Sequence, residues 1–116
     1  MSGGIQAGPS ENAAIAKGYM NSLVREQILT IIAAIPQGRV TSYGRIARMT
    51  DGASARMVAR ALRELPDGHE LPWFRVVTAS RKLADHGGAD EQRRLLMDEG
   101  VVFDQRGRIA AERFWP

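Results

Sequence analysis

Arg56, Arg60 and Arg63 fall at i, i+4 and i+7, a spacing that lines three guanidinium groups along one face of a helix. Guanidinium groups bind phosphate oxygens in pairs and stack on flat rings. A row of them is therefore chemistry for a polyanionic backbone. A second run, Pro72-Trp73-Phe74-Arg75-Val76-Val77, sets two aromatic rings beside another arginine. Covalent chemistry has little to work with. The chain contains no cysteine, which excludes a thiolate nucleophile, a disulfide and a thiolate metal site. Its imidazoles are His69 and His86, with no cluster of metal-ligand spacing around them. Neither a metal nor a cofactor is expected.

The charge has a location. Net charge is +3 over 116 residues. Between Arg39 and Arg81 eight arginines (39, 45, 48, 56, 60, 63, 75, 81) face four acids, a balance of +4, and the remainder carries −1. Hydrophobic residues make up 44%, which suits one small globular domain. No run approaches the roughly 20 apolar residues of a membrane span, and the N-terminus lacks a basic start followed by an apolar stretch. A cytoplasmic monomer is the expectation. Residues 1–20, rich in Gly, Ser, Ala and Asn, read as a disordered tail, and residues 21–116 as the domain.

The elements that must position these residues follow from periodicity and caps. Ser22 can cap a helix to about Ile35, with Val24, Ile28, Ile31, Ile32 and Ile35 on one face, ended by Pro36-Gln37-Gly38. Ser42 can cap a short helix to about Met49, burying Tyr43, Ile46 and Ala47. After Asp51-Gly52, Ser54 can cap a second helix from Ala55 to Leu65, with Val58, Ala61, Leu62 and Leu65 inward and the arginine stripe outward. Two short helices joined by a glycine turn read as a helix-turn-helix. The β-branched and aromatic content of Leu71 to Thr78 predicts a strand. Glu91 to Glu99 predicts a helix closed by Gly100, with Leu95 and Leu96 inward, and Val101-Val102-Phe103 a further short strand. The fold class expected is mostly α with a few short strands, an α+β arrangement.

Four motifs stand in one order: Ile35-Pro36-Gln37-Gly38-Arg39-Val40-Thr41-Ser42-Tyr43-Gly44-Arg45-Ile46-Ala47, then Ser54-Ala55-Arg56-Met57-Val58, then Pro72 to Val77, then Leu95-Leu96-Met97-Asp98-Glu99-Gly100-Val101. Together they resemble the DNA-binding domain of the O6-alkylguanine-DNA alkyltransferases, across residues 22 to about 103. The resemblance implies a winged-helix-like helix-turn-helix domain whose recognition helix enters the minor groove. It implies that Arg56 intercalates where a base is flipped out and that Tyr43 helps rotate the phosphate. Arg60, Arg63, Arg45 and Arg39 would then contact phosphates. A lesion pocket would be lined by Trp73, Phe74, Pro72, Val76 and Tyr43.

In that family the third motif reads Pro-Cys-His-Arg-Val. Here Trp73 stands at the acceptor cysteine and Phe74 at its activating histidine, while Glu99 matches the glutamate behind the histidine. An indole is no nucleophile for this displacement and a phenyl ring moves no proton. No alkyl transfer is expected, and Glu99 is expected to serve as a structural acceptor. The pattern resembles the alkyltransferase-like proteins, non-catalytic binders of alkylated guanine that lack the N-terminal domain of many active enzymes and usually carry Pro-Trp-His-Arg. The closing Phe114-Trp115-Pro116 resembles an ending found in some of them. Phe74, and Leu65 at a hinge asparagine, depart from the family. His86 falls near its pocket-lining residues but reads as a surface histidine. The resemblance implies duplex DNA containing O6-alkylguanine as partner, and a UvrA-type damage-recognition ATPase of nucleotide excision repair as a second. The rival reading is a sequence-specific helix-turn-helix regulator, which accounts for the arginine stripe but leaves Pro72 to Val77 unexplained.

Overall fold

The structure, a computed structural model, describes residues 9–84 and 87–116, with side chains from residue 22 onward. Helix α1 spans Pro9–Ala34. It begins before Ser22, because the alanine-rich stretch ahead of that serine favours helix more than Ser22 favours a cap. Its apolar face buries Val24, Ile28, Ile32 and Ile35, each at most 5% exposed. Pro36 lacks the N–H to continue, and Gly38 turns the chain at φ +79. That turn is close-fitting: a Cβ on Gly38 would lie 3.4 Å from the Glu99 carbonyl oxygen.

Strand β1 (Thr41–Ser42) leads directly into α2 (Tyr43–Arg48), and α3 follows at Ala55–Arg63. Both expected caps form. Ser42 Oγ accepts from the Arg45 N–H at 3.1 Å, and Ser54 Oγ from the Met57 N–H at 3.2 Å. Between them Gly52 adopts φ +79, the left-handed turn that lets α3 fold back on α2. α3 ends at Arg63, two residues earlier than Leu65, ahead of Pro66.

The run Leu71 to Thr78 is not one strand. Only Val76–Val77 (β2) pairs, parallel to β1, with Thr41 opposite Val76 and Ser42 opposite Val77. Trp73–Arg75 form a turn of 3₁₀ helix. The Trp73 N–H donates to the Leu71 carbonyl at 2.8 Å and the Arg75 N–H to the Pro72 carbonyl at 3.0 Å. Pro72 fixes φ and cannot extend a ladder, so the aromatic pair is wound rather than extended. Helix α4 spans Ala89–Asp98, and Gly100 follows it at φ +89. Val101 to Phe103 makes no strand, only an isolated antiparallel bridge from Phe103 to Ile109.

Two cores flank β2. Val76 packs with Ile28, Ile32, Ile46, Val58 and Ala61 among the first three helices. Val77 packs with Val40, Leu96, Val101 and Ile109, and Phe74 joins that side. Neighbouring residues of a strand face opposite ways, so two adjacent valines tie the helix-turn-helix to α4. The C-terminal segment pairs with the residue before β1: the Val40 N–H donates to the Arg113 carbonyl at 2.9 Å and the Trp115 N–H to the Val40 carbonyl at 2.7 Å. No helix among the described residues is long and apolar enough to cross a membrane.

Candidate nucleic-acid interface

The second helix of the helix-turn-helix presents the basic stripe. Val58 and Ala61 of α3 are buried, which turns Arg56, Arg60 and Arg63 outward, all exposed. They are not equivalent. Arg60 Nε donates to Glu64 at 3.1 Å, and Arg25 donates to the same carboxylate at 2.6 Å. Hydrogen bonds from Arg60 and then Arg25 hold the Glu64 carboxyl below the usual carboxylate range. Arg56 and Arg63 make no salt bridge among the described residues.

The remaining arginines divide. Arg39 does not join the stripe: its guanidinium donates to the Arg113 carbonyl at 3.1 Å and the Phe114 carbonyl at 2.6 Å. Arg45 lies over the Phe114 ring at 4.8 Å and donates to the Pro116 carbonyl at 3.4 Å. Arg75 points inward, donating to the Ile35 carbonyl at 2.8 Å and to both oxygens of Glu99. Arg81 donates to the Ile109 carbonyl. Among the arginines from Arg39 to Arg81 the outward set is thus smaller than their count suggests, and it gathers on α2 and α3.

Beside the stripe lies a cleft of about 800 Å³, ample for a nucleobase and a substituent. α3 and the loop after it form one wall through Ala59, Leu62, Arg63, Leu65 and residues 66–69. Tyr43, Trp73 and Val76 also line it, together with Ala84, Gly88, Glu91 and Gln92. Burial pushes the Tyr43 phenol up, so its hydroxyl stays protonated. Tyr43 packs on the first core as well as lining the cleft.

Three of the five expected pocket residues, Tyr43, Trp73 and Val76, line this cleft; Pro72 and Phe74 do not. The 3₁₀ turn explains the division. At three residues per turn, i and i+3 share a face, so Trp73 aligns with Val76 and Phe74 with Val77. Trp73 therefore meets the cleft while Phe74 enters the second core, its ring perpendicular to the indole at 5.9 Å between centroids. Pro72 stands at the head of the turn.

Gln92 was not legible in the sequence as a site residue. It is 1% exposed, and its Nε2 donates to the carbonyls of Phe74 at 3.1 Å and Val76 at 3.0 Å. A polar residue one turn from Leu96 on the inward face of α4 was the available signal. Glu99 also has a structural place, as its sequence position suggests. It accepts from the Gly38 N–H at 3.0 Å and from Arg75. Burial alone pushes its carboxyl up, but the Arg75 and Gly38 hydrogen bonds outweigh that and hold it below the usual range. Glu99 is therefore already bonded away from the cleft. Among the described residues no group of His, Asp and Glu is placed to hold a metal ion. His86 lies outside the described residues.

Residues 23–101 match the family model described as 6-O-methylguanine DNA methyltransferase, DNA binding domain. The DNA base-flipping protein of Vibrio parahaemolyticus is 40% identical over 90 residues, 76% of this chain and 90% of that protein. The DNA base-flipping protein of Escherichia coli is 37% identical over 91 residues, 77% of this chain and 70% of that one. The crystal structure of S. pombe Atl1 in complex with damaged DNA containing O6-carboxymethylguanine superposes with a TM-score of 0.71 at 26% identity, covering 82% of this chain and 96% of that one.

Proposed function

The chain belongs to the alkyltransferase-like family, built on the DNA-binding domain of the 6-O-methylguanine DNA methyltransferases, and from that premise we propose that it is a non-enzymatic sensor of O6-alkylguanine in duplex DNA. The observation that carries the reading is one juxtaposition: a cleft lined by Trp73 is lined also by Arg63, the last of the exposed arginines of α3. In this reading the working unit is residues 21–116, acting as a monomer in the cytoplasm. The helix-turn-helix docks on phosphates through Arg60, Arg63 and Arg45, with α3 in the minor groove. Arg39, bonded to the C-terminal carbonyls, is left out of that set.

Flipping a base costs a few kcal/mol in lost stacking and pairing. Arg56, in the first turn of α3 and without a salt bridge, is placed to wedge its planar guanidinium into the gap. Tyr43 lies where a rotated phosphate or the extruded nucleotide would pass. Trp73 gives the alkylated base a flat apolar surface. The position of Trp73 offers no nucleophile, and Phe74 offers no base, so the adduct is held and not consumed. The complex then flags the lesion for nucleotide excision repair through a UvrA-type ATPase. Relatives named for base flipping and for binding damaged DNA support this reading.

The test compares R56A with R63A on duplexes carrying O6-methylguanine or guanine. Intercalation predicts that R56A weakens lesion binding by about tenfold more than R63A does, with a small difference on the undamaged duplex. Equal losses on both duplexes would make Arg56 one phosphate contact among several and favour the regulator reading.

A further inference from the structure

His69 lies in the loop after α3 and lines the cleft with Trp73. Its ring is held by its own chain: the Leu71 main-chain N–H donates to Nδ1 at 3.1 Å. A main-chain N–H can only donate, so Nδ1 carries the lone pair, and the neutral ring carries its proton on Nε2. The loop around it is fixed. The His69 N–H donates to the Pro66 carbonyl at 3.3 Å, and the Leu71 carbonyl accepts from the Trp73 N–H at 2.8 Å. Leu71 therefore links the imidazole, through its N–H, to Trp73, through its carbonyl. No acceptor for the Nε2 proton is found among the described residues.

Arg63 and the Tyr43 hydroxyl bring further donors to the cleft, and His69 differs from them in being held by its own loop. Asp67 and Glu91 bring carboxylates to the cleft, which only accept when ionised. The Gln92 amide nitrogen already serves two main-chain carbonyls. Guanine carries a hydrogen on N1. Alkylation at O6 removes it, so N1 becomes an acceptor and O6 an ether oxygen, and the edge from N1 through O6 to N7 then only accepts. O6 and N7 accept in both bases, so the discrimination lies at N1: a donor fixed in the wall opposite N1 pairs with the alkylated base and meets the N1 hydrogen of guanine as a clash of two donors.

We infer that His69 is a specificity-determining residue whose Nε2–H reads the acceptor edge of an O6-alkylated purine. The inference rests on the lesion-binding reading above. H69N and H69Q separate the two ends of the ring. In H69N the amide oxygen stands near Nδ1 and keeps the Leu71 bond, while the outer donor is lost. In H69Q the amide nitrogen reaches toward Nε2. The measurement is the ratio of affinities for duplexes containing O6-methylguanine and guanine.

H69N is expected to lower that ratio by about five- to tenfold, the worth of one hydrogen bond, and H69Q to restore most of it. A wild-type ratio in a folded H69N would overturn the inference while leaving the sensor reading intact. A ratio of one in the wild-type protein would overturn both. Imidazole nitrogen spectroscopy on the wild-type protein gives a second readout that needs no variant. The His69 Nε2 proton should gain protection from exchange with the lesion duplex and not with the guanine duplex. Equal protection in both would also overturn the inference.

Discussion

The aromatic pair Trp73 and Phe74 shows how adjacent residues acquire separate tasks. The indole faces the cleft, and the phenyl ring fills the second core under the Arg75 guanidinium, 5.3 Å from its centroid. Restoring a thiol at the first position does not restore the relay, because Phe74 moves no proton and Glu99 is bonded to Arg75 and Gly38. W73C incubated with O6-methylguanine duplex is therefore expected to gain the mass of a methyl group at least about 100-fold more slowly than an active methyltransferase, the usual contribution of general base catalysis. Transfer at an enzyme-like rate, read by intact-protein mass spectrometry, would show that the base is dispensable. The sequence displayed both substitutions plainly. It hid the fact that only one of the two rings lines the cleft, since that depends on the 3₁₀ turn.

At the level of elements, the helix-turn-helix was legible because its caps are local. Ser42 and Ser54 each bond a main-chain N–H three residues on, and glycine marks the turn. The 73–75 turn was not legible, because valine and aromatic content argues for a strand and the bonds that wind the segment are set by Pro72 and by Gln92 from α4. Nor were the roles of Arg39 and Arg75, whose carbonyl partners lie in distant segments. Glu99 joins three of those segments: the turn after α1 through Gly38, the lead-in to β2 through Arg75, and its own place at the end of α4. The side chains of Arg75 and Glu99 are 15% and 11% exposed. E99Q should cost about 3 kcal/mol at neutral pH, the scale of a broken buried pair. The folded carboxyl titrates below its ordinary value, so its stabilisation is full above about pH 4.5 and is lost as pH falls through the lowered value. The urea midpoints of wild type and E99Q should converge toward pH 3. A gap that stays constant from pH 7 to pH 3 would contradict the ion pair.

Across the whole molecule, two cores meet at Val76 and Val77. Inward arginines bind carbonyls of the C-terminal segment and of Ile35 just after α1, while Arg48, Arg56, Arg60 and Arg63 of the helix-turn-helix face outward. Sequence charge alone located the basic third of the chain but could not separate these two sets. The four proposed contacts, Arg45, Arg56, Arg60 and Arg63, imply a salt slope of about −3 to −4 in a logarithmic plot of affinity, the same for damaged and undamaged duplexes because phosphates are common to both. The difference between the duplexes must then come from the cleft and from Arg56. The most direct measurement is a binding titration of the protein against matched duplexes containing O6-methylguanine or guanine at several salt concentrations, with the adduct quantified afterwards. The account predicts parallel salt slopes, at least about tenfold tighter binding of the damaged duplex at every salt, and full recovery of the O6-methylguanine. Equal affinities for the two duplexes, or loss of the methyl group on binding, would contradict it.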